Sequence, residues 1–154
     1  MKKMMTAINK AVSEAELAAC RVLFSEYAEW LREDICLAGF TAEIAALPGK
    51  YAPPEGGLLL ATIGNEAAGC IAFRKFDDTA AEAKRLWVRP QFRNQGVGVE
   101  LLQAMQQTAR DAGYQRVVFD TLPKMVRALQ LYESMGFLPR QGPDPSLLYF
   151  EKSL

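Results

Sequence analysis

The chain has 154 residues, half of them hydrophobic and 23% charged, which suits one folded domain and excludes a disordered chain. Lys+Arg and Asp+Glu each total 18, so the formal net charge is zero and nothing global favours nucleic acid or an anionic membrane. Histidine is absent, which excludes Ser-His-Asp and Cys-His machinery and histidine-ligated zinc; a general base must be a carboxylate, Lys, Tyr, Cys or water.

Met1-Lys2-Lys3-Met4-Met5 could pass for the start of a signal peptide. Asn9 and Lys10 end the apolar stretch too soon for one, and no run approaches the ~18 apolar residues of a membrane span. The expected location is therefore the cytoplasm, with residues 1–154 as one domain. Residues 4–10 are expected to form a first strand. Ser13 with Glu16 is a capping-box signature, and Leu17, Cys20, Phe24, Tyr27, Ala28 and Leu31 follow at helical spacing, to an end near Asp34. A second short helix over Phe40–Leu47 stops at Pro48. Gly57–Ile63 and Ala67–Phe76 are strand-like, joined by a Gly64-Asn65-Glu66 turn, and Ala81–Val88 is a third strand. Gln95–Ala112 is a helix with Gly113 as its stop, Arg116–Asp120 a short buried strand, Met125–Met135 a helix ended by Gly136, and Leu147–Lys152 a last strand. Residues 47–57 and 139–145, rich in Pro and Gly, read as surface loops. Cys20, Cys36 and Cys70 are odd in number and lack a CxxC, so they read as small buried hydrophobes, with neither disulfide framework nor metal knuckle. The order predicts a mixed α/β fold, one sheet with helices on both faces.

The loop that carries chemistry lies between Leu86-Trp87-Val88 and the helix that follows: Arg89-Pro90-Gln91-Phe92-Arg93-Asn94-Gln95-Gly96-Val97-Gly98. Two glycines spaced by one residue open a helix, whose free N–H groups and dipole favour an anion. Gly96 and Gly98 would let phosphate oxygens approach the backbone, and Arg93 adds a permanent cation, a combination that fits a pyrophosphate. No GxxxxGK[ST] occurs. Leu101 stands where a dinucleotide fingerprint needs its third glycine, although Asp120 sits where a ribose-binding acid would.

These residues resemble the GNAT superfamily of N-acetyltransferases. The resemblance runs from about Leu58 to Phe137 and rests on Val88–Gly98 with Leu101-Leu102, and on a second motif, Ala128-Leu129-Gln130-Leu131-Tyr132-Glu133-Ser134-Met135-Gly136-Phe137. Leu47–Tyr51 and Lys84–Val88 also look like a bacterial branch of uncharacterised members. The resemblance implies a central mixed sheet of six or seven strands with a splay between the strands at 81–88 and 116–120. It implies acetyl-CoA as co-substrate and no metal. Pantetheine would pair with the backbone of Leu86, Trp87 and Val88, the Leu86 N–H donating to the thioester oxygen, where an oriented donor stabilises developing charge. Pyrophosphate would lie on Arg93, Asn94, Gln95, Gly96, Val97 and Gly98, with Thr121, Ala128 and Tyr132 along the far side. Tyr132 falls where the family often has the acid that protonates the leaving thiolate. A phenol with pKa near 10 holds its proton at neutral pH. Glu82 matches a strand glutamate that serves as base in histone acetyltransferases; the alternative is an ion pair with Lys84 or Arg85. Met125 departs from the family pattern, which often has Asn there to hydrogen-bond the pantetheine.

The expected activity is acetyl transfer to a primary amine of a small molecule or peptide by direct attack in a ternary complex. The alternative is a non-catalytic acyl-CoA-binding module. Neither nucleic acid nor membrane is an expected partner, and a homodimer is compatible with the sequence. Trp30, Glu33, Asp34, Phe40, Glu43 and Tyr51, with the loop 139–146, are candidates to wall the acceptor end; carboxylates with aromatics would suit a cationic amine.

Overall fold

The computed structural model describes residues 5–31 and 39–154. Its strands are β1 (Thr6–Lys10), β2 (Gly57–Ile63), β3 (Glu66–Lys75), β4 (Ala80–Val88), β5 (Arg116–Thr121), β6 (Leu138–Arg140) and β7 (Leu148–Ser153). The helices are α1 (Glu14–Leu31), α2 (Phe40–Ala45), α3 (Val97–Asp111) and α4 (Val126–Ser134), with single 3-10 turns at Gly49–Tyr51 and Pro90–Phe92. All seven strands form one sheet in the order β1-β2-β3-β4-β5-β7-β6. Every neighbouring pair is antiparallel except β4 and β5, which run parallel. The mixed sheet with helices on both faces matches the expected fold class.

Strand alternation divides the core into two layers. On one face Leu59, Ala61, Ile71, Phe73, Ala81 and Ala83 pack against Leu101, Leu102, Met105 and Ala109 of α3. On the other, Leu58, Leu60, Cys70, Ala72 and Trp87 pack against Leu17, Cys20, Leu23, Phe24 and Tyr27 of α1, together with Phe40 and Tyr51. The capping box forms: the Glu16 N–H donates to Ser13 Oγ at 3.1 Å and the Ser13 N–H to Glu16 Oε1 at 3.0 Å. Cys36 and the expected end of the first helix near Asp34 lie outside the described residues. Among those residues, no helix is long and apolar enough to cross a membrane.

One expected loop is corrected. Leu138, Pro139 and Arg140 pair with Glu151, Phe150 and Tyr149 as an edge strand. A proline at an edge forfeits no ladder bond on its solvent side, so the Pro/Gly content of this stretch concealed a strand.

The pairing of β4 positions the site. At its lower end, Asp77 accepts from the N–H groups of Thr79 and Ala80, both at 2.9 Å, and from Arg116 of β5 at 2.7 Å. There Ala80, Ala81 and Glu82 pair with Arg116, Val117 and Val118, and beyond Glu82 the two strands have no further partners in each other. On the β3 side the register slips between Cys70 and Ala72, so Arg85 and Leu86 both oppose Ile71 in a β-bulge. Arg85 adopts φ 63°, a left-handed conformation that a non-glycine residue enters at a cost of about 1–3 kcal/mol. Its side chain secures it. Nε donates to Glu43 Oε2 at 2.8 Å, Nη2 to Glu43 Oε1 at 3.1 Å, and the guanidinium lies 4.4 Å from the Phe40 ring centroid. Lys50 Nζ adds a second cation 2.8 Å from Glu43 Oε1.

Burial is the largest influence on the Glu43 carboxyl and acts to raise its pKa, but Arg85 and Lys50 outweigh it and hold the group at about 2. The folded pKa is therefore depressed. The associated stability is present above the ordinary glutamate value and is lost as pH falls toward 2. Glu43→Gln is expected to cost about 3 kcal/mol at pH 7. Denaturant titrations at a series of pH values should show that difference shrinking below about pH 4.5.

Candidate active site

Where β4 leaves β5 a cleft of about 290 Å³ opens, and its lining includes Ala83, Lys84, Arg85 and Leu86 on one side and Asp120, Thr121 and Leu122 on the other. Tyr27 and Leu31 of α1, Met125, Ala128 and Tyr132 at α4, and Leu147 complete it. The splay thus stands where the family resemblance placed it.

The β4 edge carries the backbone groups. The Arg89 N–H donates to the Ala68 carbonyl on β3 at 2.9 Å, and the Trp87 carbonyl faces Gly69 so closely that a Cβ there would lie 2.6 Å from it. Backbone groups alternate along a strand, so those of Leu86 and Val88 turn to the open side. The Trp87 backbone is thus taken by β3, against the expectation that it would meet the pantetheine, and its ring is buried in the core on the α1 face. Arg93 lies over that ring, 5.0 Å from the centroid, and donates from Nε to the Val88 carbonyl at 3.1 Å. The indole Nε1 donates to Glu26 at 3.2 Å, and Arg89 forms a two-pronged pair with the same carboxylate.

Helix α3 begins at Val97, two residues later than the sequence pattern places it, because Asn94 (φ 64°) and Gly96 (φ 84°) turn the chain left-handed first. No side chain caps it. The N–H groups of its first turn are left for an outside acceptor, with the helix dipole behind them. The two glycines do different work. A Cβ on Gly96 would meet nothing within 4 Å, so that glycine serves the turn. A Cβ on Gly98 would stand 3.0 Å from Leu131 Cδ2, so that glycine serves the approach of α4. Burial, and then the like charge of Arg127 on α4, lower the Arg93 pKa. Two cations therefore share the mouth of the loop. Arg127 has no motif and escapes a sequence reading.

Across the splay, Phe119 packs on Tyr132 with ring centroids 3.6 Å apart and the rings tilted by 32°, and Phe137 and Phe150 pack on Phe119 at 5.2 Å. This aromatic cluster fixes the phenol at the cleft. Burial is the main cause, with Tyr27 and Asp120 adding to it, of a Tyr132 pKa held above its ordinary value, so the group stays protonated. Thr121 Oγ1 donates to Met125 Sδ at 3.1 Å.

The acidic residues distribute unexpectedly. Glu82 is buried, but its Oε1 accepts from Arg74 Nε at 2.8 Å, with Lys84 Nζ at 3.9 Å, and it is not among the cleft-lining residues. Arg85 goes to Glu43 instead. Asp120 does line the cleft, and among the described residues its carboxylate has no ion-pair or hydrogen-bond partner. Phe40 and Tyr51 are core residues, and Trp30 is half exposed, 5.7 Å from Trp87 between ring centroids. Glu33 and Asp34 lie outside the described residues. Among those residues no group of three potential ligands is placed to hold a metal.

Comparison with known proteins agrees with this geometry. The model of the acetyltransferase (GNAT) family matches residues 10–137. An uncharacterised N-acetyltransferase of Schizosaccharomyces pombe is 32% identical, over 97% of this chain and 95% of its own. The chain belongs to the GNAT acetyltransferase family. It is an acetyl-CoA-dependent acetyltransferase. The fold is shared with an acetyltransferase from Streptococcus agalactiae (TM-score 0.80, 24% identity, 97% of this chain and 98% of that one). It is shared too with the PaiA N-acetyltransferase of Thermoplasma acidophilum, solved in complex with coenzyme A (TM-score 0.74, 19% identity, 98% and 100%).

Gly98→Val should drive a branched side chain into Leu131 and weaken coenzyme A binding at least 10-fold in calorimetric titration. Gly96→Ala should act through the turn alone, costing about 1 kcal/mol in stability.

Proposed function

We propose that this acetyltransferase moves the acetyl group of acetyl-CoA to a primary amine of a small molecule or peptide by direct attack in a ternary complex. The observation that carries this reading is the parting of β4 from β5 beyond Glu82, with the uncapped start of α3 at the upper end of the same edge. An extended amide-bearing arm fits such an edge as an additional strand would, and a pyrophosphate fits the helix start.

In this reading Leu86 and Val88 form the wall along which the pantetheine arm lies, offering their backbone groups, while Trp87 between them is held by β3 and packs its ring in the core behind that wall. The Leu86 N–H stabilises the thioester oxygen as charge develops on it. Arg93, Asn94, Gln95, Gly96, Val97 and Gly98 hold the pyrophosphate. Thr121, Ala128 and Tyr132 close the far side. The amine nitrogen bonds to the thioester carbon, the carbon–sulfur bond breaks, the Tyr132 hydroxyl gives its proton to the departing thiolate, and the proton the nitrogen sheds on becoming an amide restores the phenol. The attacking ammonium must first lose a proton. Glu82 meets that role poorly while Arg74 holds its carboxylate, and it is 6% exposed. Asp120, in the cleft beside Tyr132, meets it better, directly or through one water.

Three variants test the assignment by steady-state acetyl transfer over an amine panel. Tyr132→Phe and Asp120→Asn are expected to lower kcat about 100-fold each, while coenzyme A binding stays within a few-fold of wild type. Glu82→Gln should fall by less than about 10-fold and show mainly as lost stability. Tight coenzyme binding with no transfer to any amine by the wild type would favour the acyl-CoA-binding alternative.

A further inference from the structure

We infer that the acceptor amine carries a carboxylate, with Lys84 holding the carboxylate and Asp120 the ammonium group. This rests on the acetyl-transfer reading above and deepens it. The parallel register of β4 and β5 sets Glu82 beside Val118. Two residues further along each strand come Lys84 and Asp120. Side chains alternate with a period of two, so both stand on the α1 face of the sheet, opposite each other across the opening. Both line the cleft, and no ion pair joins them. The strands diverge before the two charges can meet.

The other charges near the opening are satisfied within the protein. Arg85 is spent on Glu43 and Glu82 on Arg74. Among the described residues the ion contact of Lys84 is Glu82, at 3.9 Å, and its side chain is 19% exposed. A part-buried cation and a part-buried anion are thus held apart over a gap whose remaining lining includes Tyr27, Leu31, Leu122, Met125 and Leu147. A zwitterion satisfies both charges together, which neither a simple amine nor a diamine does. The apolar part of that lining suits an amino acid with an apolar side chain.

The test uses matched triplets: leucine, leucinamide and 3-methylbutylamine, and the corresponding phenylalanine set. Each is titrated calorimetrically into the enzyme–coenzyme A complex, then assayed for acetyl transfer. In at least one set the wild type should bind the amino acid 10-fold or more tighter than both partners lacking the carboxylate. Lys84→Met should bring that ratio near one, Lys84→Glu should invert it, and Lys84→Arg should largely keep it. The absence of a carboxylate preference in both sets, or a ratio unchanged in Lys84→Met, overturns the inference. Preferential binding of the amino acids without transfer to any amine would sink the acetyl-transfer reading and leave standing only the zwitterion site at Lys84 and Asp120. Acetylation of the amines and amides at the same efficiency as the acids would do the reverse.

Discussion

The pairing of Arg85 with Glu43 is the interaction on which the rest of the site depends. A left-handed arginine in the middle of a strand is costly, and it persists because its guanidinium is gripped at both prongs and laid on the Phe40 ring. That residue makes the bulge, which lies just beyond the last β4–β5 pair, Glu82 with Val118. At the other end of the two strands Arg116 and Asp77 hold them together. One end pinned and the other levered open gives a wedge, and the wedge is the cleft. The Cys70 thiol, whose pKa burial raises well above its ordinary value, stays protonated and donates to the Arg85 carbonyl at 3.4 Å, a further tie at the same point.

The two walls of the wedge are built by different means. The β4 wall is backbone, held on its outer side by β3 and stiffened at its upper end by Arg93 reaching to Val88. The opposite wall is side chain, and its rigidity comes from the aromatic cluster of Phe119, Tyr132, Phe137 and Phe150. Offset and edge-on ring contacts restrict Tyr132, so that its hydroxyl is delivered to a fixed place.

Much of this was legible in the sequence because it is local. The Ser13–Glu16 cap, the Gly64–Glu66 turn and the amphipathic run after Gly96 each follow from nearby spacing, and two motifs in the right order bring the fold with them. What was not legible is non-local. Nothing at Arg85 signals a left-handed backbone, since the carboxylate that secures it lies 42 residues away. Glu82 sits correctly on its strand, but its partner Arg74 comes from the neighbouring strand, eight residues away across the turn. Asp120 is visible as an acid at a strand end, yet only the register against Lys84 shows what it faces. The strand at Leu138–Arg140 was concealed because proline content signals a loop unless the strand is known to be an edge.

The anchor of the bulge lies on α2, not on the sheet. Glu43 therefore couples the helical layer to the splayed edge of the sheet. Helix α1 lends Tyr27 and Leu31 to the cleft lining, whereas β4 lends its edge. Exchanging α2 would release Arg85 and with it the bulge in β4. The helical layer is thus not a detachable module: any graft of α2 must bring with it a carboxylate at position 43.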